Sequence, residues 1–95
     1  MERTALLESW AITLRHLAAA RFYLPEVLPS NEARAAAGEL AHLLHHNELG
    51  LALREAQALG ECCGAPREFW RELRMAAANM GLSEEERRYA EKHEG

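Results

Sequence analysis

The chain has 95 residues and a formal net charge of −4, enough for one modest core and short of a second domain. Its 48% hydrophobic and 27% charged residues are ordinary for a soluble globular protein and exclude a disordered chain. The longest apolar stretch, around residues 10–28, is broken by Arg15, His16, Arg21, Pro25 and Glu26, so no transmembrane helix fits.

Met1, Glu2, Arg3 and Thr4 provide neither a basic region ahead of an apolar run nor a small-residue cleavage site. No secretory signal is therefore expected, and the cytoplasm is the expected compartment. Ten of the eleven basic residues are Arg, a bias that reads mainly as codon usage in a GC-rich genome and only weakly as adaptation to heat.

In chain order, Leu7, Trp10, Leu14, Leu17, Ala18 and Phe22 predict a first amphipathic helix over roughly residues 4–23. It ends before Pro25, because proline disfavours a helical residue ahead of it. Pro29 marks a turn, and Ser30 or Asn31 can cap a second helix with Ala33, Ala36, Ala37, Leu40, Leu43 and Leu44 inside. Asn47 is placed to cap a third helix, with Glu48 near the positive end of its dipole. Leu49, Ala52, Leu53, Ala56, Leu59 and Cys63 give it one apolar stripe. A fourth helix restarts after Gly64 with Pro66 in its first turn. It buries Phe69, Trp70, Leu73, Ala76, Ala77 and Met80, and stops at Gly81 with Leu82 making the accompanying apolar contact. Ser83 with Glu86 is a capping-box pattern for a final helix. Beyond Tyr89 and Ala90 that segment has almost no apolar content, so a frayed, solvated helix is expected. The prediction is an all-α single domain: a bundle of four main helices over residues 1–82 and a charged C-terminal tail or short helix over residues 83–95.

The segment Glu48 to Leu53, ELGLAL, followed by an aromatic-led helix that ends Asn79, Met80, Gly81, Leu82, resembles the MafI-type immunity proteins and related small antitoxins. The match is a motif covering about a third of the chain, and Cys62 and Cys63 at the hinge depart from the pattern. The resemblance implies a small helical protein that binds a cognate toxin, commonly a nuclease, and blocks it without catalysis of its own.

Charge patterning indicates where such binding would occur. The segments 25–47 and 48–65 each carry a net charge of −2. Glu32 and Glu39, like Glu48 and Glu55, lie seven residues apart, a step that returns to nearly the same helix face. Two acidic stripes on adjacent helices would oppose a toxin surface built for phosphates. Glu39, Glu48 and Glu55 are the expected partner-binding residues. The competing reading is that these are the solvated faces of ordinary helices, where charges contribute little.

Other chemistries are weaker. Arg67, Arg71 and Arg74 form a basic stripe of the kind that tracks a phosphate backbone, but interleaved Glu68 and Glu72 point instead to a salt-bridged surface. His42 and His46 have the i, i+4 spacing that presents two imidazoles to zinc, and Cys62 and Cys63 could add thiolates. Adjacent cysteines are not a metal-binding pattern, however, and histidines at a helix C-terminus are explained by its dipole. Cys63 reads as a small core residue and Cys62 as a partly exposed thiol. Arg88 and His93 form a string resembling that of the helical HEPN ribonucleases, but in a charged tail without the support a catalytic pair needs. No Gly-rich phosphate loop or nucleophile elbow occurs. No catalytic residue, cofactor or metal is expected. Trp10 and Trp70 read as core residues, Tyr23 as an exposed contact. The expected partner is a protein; the alternative is a helical protein-protein interaction module, for instance a homodimer burying leftover apolar surface, with nucleic acid a lesser reading and no membrane partner.

Overall fold

The structure, a computed structural model, describes residues 3–94, with side chains from Glu8 onward. It contains five helices: α1 (Arg3–Phe22), α2 (Asn31–His45), α3 (Leu49–Cys63), α4 (Arg67–Asn79) and α5 (Ser83–Glu94). No strand occurs among the described residues, and no helix is long and apolar enough to cross a membrane.

Helix boundaries follow from identifiable local chemistry. Ser30 caps α2, its Oγ accepting the Ala33 N–H at 3.1 Å, which satisfies one of the otherwise free donors of the first turn. The next three connections share one device. Asn47, Gly64 and Gly81 adopt left-handed backbone conformations. The residue after each donates its N–H back into the preceding helix: Glu48 to Leu43, Ala65 to Gly60 and Leu82 to Ala77, all at 2.9 Å. These are Schellman closures, which satisfy carbonyls at the helix end and reverse the chain. Leu82 is half-buried against the core, completing the apolar contact expected of the Gly81 stop.

Asn47 therefore closes α2 and does not cap α3. Glu48 occupies the cap position of α3 without a side-chain hydrogen bond; the left-handed backbone at Asn47, φ 56°, is a conformation that Asn tolerates better than most residues. Pro66, with extended backbone, sits just ahead of α4. The Leu82 carbonyl accepts from the Glu86 N–H, which puts Ser83 inside α5, one register beyond the capping position expected of it.

The helices are arranged around α4, which packs on α1 and on α5, while α2 packs on α3 and α3 joins that hairpin to α1 and α4. The extents are 43 × 29 × 18 Å, so the thinnest direction holds about two helix layers. One core runs through all five elements and includes Leu17, Leu40, Leu53, Leu59, Phe69, Trp70, Leu73 and Tyr89.

The C-terminal segment departs from its expected solvated state. Tyr89 is fully buried, its ring 5.9 Å from that of Trp70, and its hydroxyl donates to Gln57 Oε1 at 2.8 Å. Lys92 extends over the Trp70 ring at 4.7 Å. A single large aromatic anchor, worth about 1.5–3 kcal/mol when buried, thus docks a helix whose composition is otherwise polar.

Helix α1 is also rotated relative to its expected phase. Its inner face is Thr13, Leu17 and Ala20, continuing to Leu24. Trp10 is 40% exposed and Phe22 90% exposed; Ala18 is exposed and Leu14 half-buried, while the side chain of Leu7 lies outside the described residues. Apolar residues occupy most of the circumference of α1, so periodicity does not select a phase. Polar pairing with α4 does. Asn79 Nδ2 donates to the Ser9 carbonyl at 2.8 Å and to Thr13 Oγ1 at 2.7 Å. His16 Nδ1 donates to Glu72 Oε1 at 2.9 Å, since a carboxylate can only accept. Each of these groups would be costly to bury without a partner.

Two outcomes are expected. A Cβ added at Gly60 would overlap the Phe69 ring edge and come within 3.0 Å of Trp70 Cη2, so Gly60→Ala should cost about 1–3 kcal/mol in denaturant unfolding, whereas Gly38→Ala, facing open space within α2, should stabilise by about 0.5–1 kcal/mol. Burial pushes the Tyr89 hydroxyl up to about 12 from 10.0. The folded state therefore holds its proton where the unfolded state releases it, so this contribution is complete below pH 10 and is lost as pH rises through about 12. Tyr89→Phe should remove the corresponding part of the alkaline stability loss, measured by unfolding curves at pH 8 and pH 11.

Candidate protein interaction surface

The α2–α3 hairpin carries the acidic residues singled out by spacing. Its antiparallel register is marked by Cys62 Sγ, which lies 3.9 Å from Glu32 Oε2. Both helices rise about 1.5 Å per residue, so this register brings Glu39 level with Glu55 and Glu48 level with His46. Glu32 meets Cys62 across the hairpin, whereas Glu48, at the cap position of α3, lines a hollow with Arg54, Leu82 and Glu85. Glu39 and Glu48 are exposed, and Glu55 is half-buried. The ion pairs among the described residues are His16 with Glu72, Arg71 with Glu72 and Lys92 with Glu61. None involves these four carboxylates, and Arg54 lies near Glu48, both lining one hollow.

An apolar element lies among the acids. Leu51 is 53% exposed and shares the α3 face with Glu48 and Glu55 at steps of three and four. It borders a shallow hollow of about 300 Å³ that also takes in Leu82 and Glu85. A second hollow, about 310 Å³, is lined by Trp10, Thr13, Asn47, Leu49, Asn79 and Met80, among others. The two sequence segments that begin at Asn47 and end at Leu82 thus meet at one end of the bundle. Spacing along either helix alone did not show this; it follows from α3 and α4 both packing near α1.

The other clusters are less organised. The His42 and His46 ring centroids lie 4.5 Å apart and those of His45 and His46 5.2 Å apart. Cys62 lies toward the opposite end of the hairpin, on the order of 20 Å away at the helical rise, so the thiols do not join these imidazoles. Among the described residues no group of three or more His, Cys, Asp or Glu side chains could hold a metal ion. Arg71 of the basic stripe donates to the Tyr23 hydroxyl at 3.3 Å and to Glu72 at 3.4 Å, which commits it to the α1–α4 seam. Tyr23, 39% exposed, is reachable at that point. Arg88 turns to Gln57 at 3.4 Å, and His93 Nδ1 is buried without a partner; five residues apart on one helix, the two point in different directions.

Comparison with known proteins finds no match: no family model matches the chain, and neither do curated proteins or solved structures.

The adjacent cysteines have different environments. Cys62 is exposed and Cys63 half-buried; burial pushes the Cys63 thiol up, the neighbouring Cys62 adds to this, and Arg21 opposes it. Because the thiolate is the reactive form, a disulfide reagent at pH 8 should modify one thiol quickly and one slowly. Cys62→Ser should abolish the fast phase, and Cys63→Ser should leave it in place.

Proposed function

We propose that this chain is an immunity-type binding protein that occludes a cognate toxin, with the acidic face of the α2–α3 hairpin as its contact. What supports this reading is the spacing of Glu32, Glu39, Glu48 and Glu55 on the α2–α3 hairpin, none of them in an ion pair among the described residues. Exposed Leu51 lies beside them, so the surface offers an apolar contact within a charged surround, the general anatomy of a protein interface. The likeness of ELGLAL and NMGL to the MafI-type immunity proteins supports a toxin, of the nuclease class, as the kind of partner. A nuclease toxin must present basic groups to phosphates, and an acidic face both steers its approach and competes for those groups.

In this mechanism the protein performs no chemistry. Glu39, Glu48 and Glu55 attract the basic rim of the toxin, Leu51 seats against it, and the bulk of the hairpin excludes the nucleic-acid substrate. A second reading, a self-associating helical interaction module, is supported by the exposed α1 residues Trp10 and Phe22.

Co-expression with a toxin encoded beside this gene should restore growth and yield a stable complex. Reversing Glu39, Glu48 and Glu55 together to Lys should slow association at least about tenfold at low salt and raise the dissociation constant, with the helical circular dichroism unchanged. Equal binding by the reversed variant at low salt would remove the electrostatic mechanism, and absence of both rescue and complex would remove the immunity reading.

A further inference from the structure

The last turn of α2 carries a chemistry that the acidic residues do not use. His42 and His46 are one turn apart, on neighbouring positions of the helix surface, and both are exposed. Their ring centroids lie 4.5 Å apart with the planes tilted by 57°. The histidine engaged in a hydrogen bond and an ion pair among the described residues is His16, so the nitrogens of His42 and His46 are uncommitted. We propose that these two side chains form a two-imidazole chelate for a divalent transition-metal ion of the nickel(II) and copper(II) class, with water in the remaining positions.

The ring separation fits such a chelate. A metal–nitrogen bond of about 2.0–2.1 Å, with about 1.1 Å more from a ring nitrogen to the centroid, places each centroid about 3.2 Å from the ion. Two such ligands at the right angle of a square-planar or octahedral ion have centroids about 4.5 Å apart; at a tetrahedral angle the separation is about 5.2 Å. The observed value matches the right angle, which nickel(II) and copper(II) adopt and structural zinc(II) does not. Hard cations such as magnesium take oxygen ligands instead.

Position adds to geometry. His46 is the C-cap of α2 and donates its N–H to the His42 carbonyl, so the pair sits at the negative end of the helix dipole, where a cation is favoured. Glu39, one turn before His42, and Glu48, two residues beyond His46, are exposed and add negative charge nearby. No third protein ligand joins the pair among the described residues, which makes the site open and its ion exchangeable. His45 lies 5.2 Å from His46, edge-on at 88°, but as the adjacent residue it projects about 100° away around the helix. The dipole accounts for a histidine at this place; it does not account for two rings at chelating distance with uncommitted nitrogens.

Calorimetric titration of the full chain with nickel(II) chloride at pH 8 tests the site. One ion should bind per chain, magnesium chloride should give no heat, and nickel should raise the melting temperature because it binds the folded state. His42→Asn and His46→Asn, at exposed positions, should each weaken binding at least about tenfold, since losing either ligand ends the chelate, with the circular dichroism unchanged. His45→Asn and Cys62→Ser should bind as the parent does. Absence of saturable heat at millimolar nickel overturns the site. Binding that survives His42→Asn, or that His45→Asn or Cys62→Ser weakens equally, also overturns it, because the ion then sits elsewhere. Each of these outcomes is independent of whether the acidic face holds a partner.

Discussion

The close approach of α3 to α4 at Gly60 is the constraint on which the remaining packing depends. The Phe69 ring edge occupies the space where a side chain at residue 60 would lie, and the Phe69 and Trp70 rings then meet edge to face at 5.0 Å. That geometry turns Trp70 toward Tyr89 and Lys92, and through them holds α5. A bulkier residue at position 60 would move the aromatic pair, and the docking of the last helix would move with it. Gly60 also supplies the carbonyl that accepts from Ala65 in the closure of α3. One residue therefore serves both the turn and the interface that the turn creates.

Where one face of a helix is apolar and the other charged, the fold was legible in the sequence. The stripes of α3 and α4 were read correctly because their opposite faces carry Glu and Arg, leaving a single phase that buries the apolar residues. The stop at Gly81 was legible for a similar reason, since few residues adopt its backbone conformation. The phase of α1 was not legible. Its apolar residues nearly surround the helix, and the decision passes to Thr13, His16 and Ser9, which find partners only on α4. The signal is a buried threonine pairing with Asn79, 66 residues away, and no local pattern encodes it. For α5, counting apolar residues undervalued Tyr89, because one fully buried aromatic can anchor a helix that propensity and composition leave exposed.

The candidate surface was partly legible. Spacing by seven placed Glu32 with Glu39 and Glu48 with Glu55 on common faces, because seven residues are nearly two turns. Which flank of α2 meets which flank of α3 depends on the hairpin register, and that is set by the left-handed turn at Asn47. Reading Asn47 as the beginning of a helix concealed its effect. As the end of one, it fixes the reversal that brings Glu39 level with Glu55. Leu51 was missed because it breaks the polar face of α3 as a single residue, and an isolated surface leucine carries no signal until its acidic neighbours are placed around it.

The apolar arc of α1 and the acidic seam of α2–α3 are chemically incompatible as sites for the same partner. Two acidic seams repel, so the seam cannot hold a second copy of the chain; a nearly neutral apolar helix gives little long-range attraction to a basic protein. The exposed residues of α1, Trp10 and Phe22, and the carboxylates of the hairpin therefore differ in range as well as in chemistry: charges attract a cationic partner over distances up to the Debye length, about 8 Å at physiological ionic strength, whereas apolar residues act only on contact.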